Sequence, residues 1–393
     1  MMRMPLPLPS IKAIAPGSEL LGLHGLRGLA ALAVAALHTV YIPQPYLTVP
    51  VQIGTLVSSL WHGVTLFFIL SAIVLAHATA PLVGTEGWVL RYALRRFFRI
   101  APLFYAMVAF YVVWLPYPVP ASWIFANLLF VFNFHPQLFV SIVWAGWTIG
   151  IEAPFYAILP LLLSRTHKWQ HAAWVLVSAV AVSIVSRYLL MTVGSLPYDL
   201  GLMSFTSNVP MFAVGLLVWH AIRDRPVTLT LQRSLMWGTL LTLATMVVVA
   251  PFPAPVIPLP PPSPRFAQLL WIIPLGLCCA WQAVSPSRLM GLAAIQWVGK
   301  RSFSCYLLHP PIVYLLANHG AYTTIQHGLH RFVGDWSILG CFLLTYIAVL
   351  PASGLIYRLI ERPGQRAGHW VIDRIGRRAA VAALLAERPT GPC

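Results

Sequence analysis

Ten stretches of this chain each carry fifteen or more predominantly apolar residues, and nothing else in the sequence constrains the fold as strongly. They run over Leu20–Tyr41, Leu56–Thr79, Ile100–Leu115, Ile142–Leu163, Ala172–Met191, Phe205–Ile222, Leu235–Val249, Phe266–Ala283, Phe303–Ala317 and Trp336–Ile356. An α-helix crosses the hydrocarbon core of a bilayer with about 20 such residues. Only 9% of the 393 residues are charged, against about a quarter in soluble domains. That composition excludes a water-facing globular enzyme. The fold class predicted is all-α: a polytopic integral membrane helical bundle of about ten transmembrane helices.

An eleventh, shorter run at Trp123–Phe134 decides the orientation of everything after it. Its twelve residues would rise only about 18 Å as a helix, too little to cross perpendicularly. It therefore reads as a short re-entrant or interfacial helix. With the N-terminus inside, 21 of the 25 Lys and Arg fall on the cytoplasmic side, including Arg91, Arg95, Arg96, Arg99, Lys300, Arg301 and the seven arginines from Arg358 onward. If the short run crossed, Arg165, Lys168, Arg223, Arg225 and Arg233 would move outside. The positive-inside rule thus predicts a multi-pass protein of the cell inner (plasma) membrane with both termini cytoplasmic. The net charge of +16 then describes one face of the membrane, and nucleic acid is not an expected partner.

Three segments follow: a cytoplasmic N-terminal stretch at 1–19, a membrane-embedded domain at 20–360 and a basic tail at 361–393. The tail contains Trp370–Leu385, which has the pattern of an amphipathic helix lying on the inner leaflet. Between two spans, Pro251–Pro264 holds eight prolines in fourteen residues and should be extended. The five cysteines lack the paired spacing of a disulfide framework or zinc site, and no metal is expected.

Ionisable groups inside apolar spans are costly, about 2.5–3.5 kcal/mol each at mid-helix, so each is a functional candidate. In the first span Arg27 and His38 are eleven residues apart, about 20° past three full turns, which places them on one face about 16 Å apart along the axis. In the fourth, Trp144, Thr148, Glu152 and Tyr156 recur every four residues, with Glu152 requiring a partner from another span. In the ninth, Ser302, Cys305 and His309 share a face, and Pro310 and Pro311 should kink the helix just after the histidine.

These stretches together resemble the integral-membrane acyltransferase-3 family, which includes bacterial O-acetyltransferases of surface polysaccharides and lipopolysaccharide. The matching segments are Leu26-Arg27-Gly28-Leu29-Ala30 with His38, Gly63 to Ser71, Arg95 to Pro102, Trp147 to Glu152 with Phe155-Tyr156, Gly299 to Phe303 with Tyr306 to His309, and Ile360 to Pro363. They occur in the family's order. The chain departs from the pattern at His24 and Thr65, where the family often has Asp, and at Ala72, where it usually has Gly.

The resemblance implies transfer of an acyl group, acetyl in the simplest case, from cytoplasmic acyl-CoA to a hydroxyl of a carbohydrate or glycolipid acceptor at the outer face. Acyl-CoA is then a cosubstrate, with no bound cofactor, and membrane lipid is the surrounding partner. In this reading His38 is the general base, and Glu152 orients the imidazole or stabilises its charged form. Arg27, Arg95, Arg96 and Arg99 bind the phosphates of the donor. Ser71 and Thr148 donate to a tetrahedral oxyanion, with Tyr156, Ser302 and His309 in support. The alternative is a transporter or flippase-like protein, or an assembly component of polysaccharide export, whose buried Arg, Glu and His line a pathway.

Overall fold

Each of the ten apolar runs carries α-helix in the computed structural model, which describes residues 19–44, 46–190, 198–249 and 268–386. The proline-rich segment Pro251–Pro264 lies outside the described residues. In chain order the helices are α1 (Leu21–Tyr41), α2 (Val51–Ser59), α3 (His62–Thr79), α4 (Trp88–Trp114), α5 (Ala121–Leu128) and α6 (Trp147–Arg165). Then come α7 (Trp169–Tyr188), α8 (Tyr198–Met203), α9 (Phe205–Ile222), α10 (Leu229–Val249) and α11 (Ile272–Val284). The chain closes with α12 (Arg288–Gly291), α13 (Ala293–Lys300), α14 (Ser302–Asn318), α15 (Ala321–Val333), α16 (Ile338–Ile356) and α17 (Arg362–Ala386). No strand occurs among the described residues. Seven helical stretches are long and apolar enough to cross a membrane, and Gln268–Val284 is a shorter apolar helix. The protein is an all-α, polytopic membrane bundle.

Helix α1 is packed so closely that its neighbours' backbones, rather than side chains, form the contact. A Cβ on Gly22 would lie 2.0 Å from the Gln282 carbonyl oxygen, and one on Gly28 would lie 2.7 Å from that of Ile295. From the other side, a Cβ on Gly299 would lie 2.2 Å from the His24 carbonyl oxygen. Small residues that let helix backbones approach are the usual means of association where lipid removes the hydrophobic drive between spans. Helix α3, apolar all round, is correspondingly buried, with Phe68, Ile69, Leu70, Ala72 and Ile73 wholly inside. Helix α7 instead turns Trp174, Val177, Val182 and Val185 outward, as a lipid-facing surface requires.

The short run at Trp123–Phe134 forms the eight-residue α5 and a 3₁₀ turn at Phe132–Phe134, too short to cross. Between α5 and α6 the chain is irregular. Phe130, Ser141 and Ala145 adopt φ of 59°, 75° and 61°, a left-handed conformation of about 1 kcal/mol or more for each non-glycine residue. Asn127 pins this loop by accepting from the Ser141 hydroxyl (2.6 Å) and the Ile142 amide (3.3 Å). Trp144 therefore precedes α6 instead of continuing its helical face, and packs among Trp114, Tyr111 and Tyr314.

Helix α14 continues through Pro310 and Pro311 to Asn318. The prolines remove the N–H groups that would otherwise bond to the carbonyls of Tyr306 and Leu307. At the C-terminal end, the boundary expected at residue 361 falls inside a continuous helical path. Helix α16 passes through a π-turn at Tyr357–Glu361 directly into α17. The first turns of α17 lie against α4, and Glu361 is 1% exposed.

Candidate active site

The two span histidines meet. His38 of α1 and His309 of α14 approach with Nδ1 of the first 3.0 Å from Nε2 of the second, their ring centroids 4.8 Å apart. Each Nδ1 also lies near a backbone carbonyl one turn back: His38 at 2.9 Å from Val34 O, His309 at 3.3 Å from Cys305 O. A carbonyl oxygen only accepts, so each neutral ring carries its proton on Nδ1. The His38 N–H is then shared between Val34 O and the lone pair of His309 Nε2. This leaves His38 Nε2 unprotonated and without a protein partner among the described residues. His309 is fully buried and His38 only half-buried, so His38 is the ring open to a reactant.

Glu152, on α6, is held by two hydroxyls. Ser71 of α3 donates to Oε1 at 2.7 Å, and Tyr156, one turn along α6, donates to Oε2 at 2.7 Å. Tyr92 of α4 donates to the Tyr156 carbonyl at 3.1 Å, tying a third helix to the group. Among the described residues no cation lies within 4.0 Å of this carboxylate. The contacts differ from those expected. The ring partner of His38 is His309, whereas Glu152 is engaged by Ser71 and Tyr156. The Ser71 and Thr148 hydroxyls, expected to face an oxyanion, have other partners in this structure. Ser71 donates to Glu152, and Thr148 lies 3.3 Å from the Ala145 carbonyl.

A second carboxylate lies deeper in the bundle than its place in the basic tail implied. Glu361 pairs with Arg99 of α4, accepts from Ser304 of α14 at 2.5 Å, and accepts from Gln365 at 3.2 Å. One carboxylate thus joins α4, α14 and α17. The sequence signal was an acid, one of only nine in the chain, set four residues before Gln365 in an arginine-rich segment.

Three cavities, each sharing residues with the next, run past Glu152 and beside the other groups. The widest, about 300 Å³, has Arg95, Arg96 and Arg99 on one side and Gln365, Gly368 and His369 on the other. Arg96 and Arg99 also line a narrow cavity of about 40 Å³ with Arg27, Ser71, Glu152 and Tyr156. Arg27 and Glu152 recur in the third, also about 40 Å³, with Thr148, Ser302 and Tyr306. The Tyr306 ring lies 5.6 Å from that of His309. Within this path Arg27 Nε and Ser302 Oγ are buried and have no protein partner. Unsatisfied donors in a buried polar cavity are what a bound polar group would satisfy. Thr65 is fully buried with its hydroxyl also unpartnered, and His24 is half-buried near the start of α1.

Of the residues to which the sequence reading gave a role, Arg27, Ser71, Arg95, Arg96, Arg99, Thr148, Glu152, Tyr156 and Ser302 line these cavities, and His309 of the histidine pair lies beside Tyr306 at their far end. What sequence reasoning missed is the contact between His38 and His309, the role of Glu361, and the part played by Gln365 and His369. The four described cysteines, Cys278, Cys279, Cys305 and Cys341, are free, and no cluster of metal-ligating side chains occurs among the described residues.

Residues 20–358 match a family described as acyltransferase domain. No curated protein matches the chain, and neither does any solved structure.

Proposed function

Since the chain belongs to the integral-membrane acyltransferase-3 family, we propose that it moves an acyl group, acetyl in the simplest case, from cytoplasmic acyl-CoA to a hydroxyl of a glycan or glycolipid at the outer face. The observation that carries this reading is the path of shared cavities from the Arg95, Arg96 and Arg99 cluster past Arg27 and Glu152 to Tyr306, beside the His38–His309 pair. The arginine end is the cytoplasmic end, by the positive-inside rule. Guanidinium groups hold phosphates through bidentate, charge-assisted hydrogen bonds. Arg27 and Ser302, with buried donors free, suit the amide carbonyls of the pantetheine arm.

At the far end the acceptor hydroxyl gives its proton to Nε2 of His38 as its oxygen attacks the thioester carbonyl carbon. The tetrahedral adduct then expels the CoA sulfur, and the C–S bond breaks. The proton on His38 Nε2 passes to the departing thiolate, so the histidine ends as it began. His309 accepts from His38 Nδ1–H throughout, and that bond strengthens when the ring becomes cationic. Glu152, held by Ser71 and Tyr156, stands midway along the path and lines both narrow cavities together with Arg27.

The test is transfer of labelled acetyl from acetyl-CoA by membranes containing the full chain, with mass spectrometry of surface glycans from cells with and without it. Wild-type cells should carry an acyl group that is absent when His38→Ala replaces the native chain. Loss of whole polymer rather than of an acyl substituent would place the protein in export instead.

A further inference from the structure

We propose that α17, which lies beyond the family-matched residues 20–358, forms one wall of the pocket that holds the phosphates of the donor, with Gln365 and His369 as its ligands. The inference rests on the acyl-CoA reading above and extends it to a part of the chain that the family match does not reach.

The argument starts from spacing. Glu361, Gln365 and His369 recur every four residues and so form one stripe along the helix. Beside it, Gly364 and Gly368 form a stripe of their own, pressed onto α4. A Cβ on Gly364 would lie 2.6 Å from Pro102 Cγ, and one on Gly368 would lie 2.6 Å from Phe98 Cβ. Any larger residue would push α17 away from α4, so the glycines set the separation at which the polar stripe faces the arginines. The stripe is anchored at its inner end by the pairing of Glu361 with Arg99.

The charges are unbalanced. Glu361 answers Arg99, but Arg95 and Arg96 have no carboxylate within 4.0 Å among the described residues. Arg95 Nε is moreover buried and without a hydrogen-bond partner. A space of about 300 Å³ bordered by two uncompensated guanidinium groups, an amide and an imidazole suits an anion of several charges. Both a nucleotide's phosphates and an anionic lipid headgroup have that chemistry. The nucleotide fits better because Arg96 and Arg99 also line the narrow cavity that leads to Glu152, where an extended arm would follow the phosphates inward. A lipid's tails would instead run into the bilayer.

The experiment uses full-length protein in nanodiscs of zwitterionic lipid, with binding of CoA, 3′-dephospho-CoA and S-acetylpantetheine measured for wild type and Gln365→Ala/His369→Ala. The double variant should bind CoA about tenfold or more weakly, as the loss of two contacts to charged oxygens implies. Its loss should be smaller for S-acetylpantetheine, which lacks the phosphates, and KM for acetyl-CoA should rise more than kcat falls. His369→Arg should retain CoA affinity, which a purely structural role would not predict. Unchanged CoA affinity in the double variant, with wild type binding normally, overturns this inference and leaves the acyl-CoA reading standing. In a parallel set of nanodiscs containing phosphatidylglycerol, loss of that lipid's retention by the double variant without loss of CoA binding also overturns it and assigns the pocket to lipid. Failure of wild type to bind CoA at all removes both.

Discussion

The bond between His38 and His309 allows the two rings to be separated by kinetics. His38→Ala removes the base that takes the acceptor proton. General-base catalysis contributes about 10²–10⁴-fold, or about 2.7–5.4 kcal/mol of barrier. His309→Leu keeps most of the volume of a fully buried residue but removes the acceptor for His38 Nδ1–H. The Val34 carbonyl, 2.9 Å from the same nitrogen, still fixes the tautomer, so Nε2 remains a base. What disappears is one hydrogen bond to a ring that turns cationic during transfer, worth about 1.5–3 kcal/mol, or about 10–150-fold in rate. His309→Gln supplies an amide oxygen in place of Nε2 and should stay within about fivefold of wild type. Because His309 acts through His38, the double variant His38→Ala/His309→Leu should be no slower than His38→Ala alone. The assay is initial-rate transfer of labelled acetyl in membranes, normalised to folded protein by size-exclusion profile. Equal activity of His309→Leu and wild type, or multiplicative losses in the double variant, would refute the coupling.

Other perturbations read the scaffold and orientation. Glu361→Gln keeps shape but leaves the Arg99 guanidinium without its counter-charge, and should destabilise the protein by about 3 kcal/mol; a thermal scan should show the loss and its partial recovery in Glu361→Gln/Arg99→Leu. Gly299→Ala would place a Cβ 2.2 Å from the His24 carbonyl, a backbone atom that cannot rotate away, and should lower folded yield by more than the roughly 1–3 kcal/mol of ordinary overpacking. Gly376→Ala, where a Cβ meets nothing within 4 Å, serves as the control and should express as wild type. A reporter fused after Cys393 should read cytoplasmic; a readout from the opposite side would reverse the orientation inferred from the arginines.

The helical layout was legible in the chain because lipid demands uninterrupted apolar length, and that demand is written locally. The short run at Trp123–Phe134 was legible for the same reason, being too short to span. Trp144 shows where local pattern misleads. Its four-residue spacing to Thr148 implied a shared helix face, but Ser141 and Ala145 take left-handed conformations and α6 begins only at Trp147. No periodicity reveals a backbone held by Asn127 from another element. The contact of Gly364 and Gly368 with α4 was likewise not legible, because the arginines around them mark only the side of the membrane on which they lie.

By itself, the sequence determined the membrane class, the orientation expected of the arginines and the polar residues that hydrocarbon makes expensive, since charge and apolar length act residue by residue. Only the tertiary structure decided which of those residues touch. His38 bonds to His309 across 271 positions, Ser71 rather than His38 reaches Glu152, and Glu361 returns across 262 positions to Arg99. Such pairings depend on how close two helices lie and how they are rotated. Those quantities are set by glycine contacts, prolines and a π-turn acting together, and no single stretch of chain contains them.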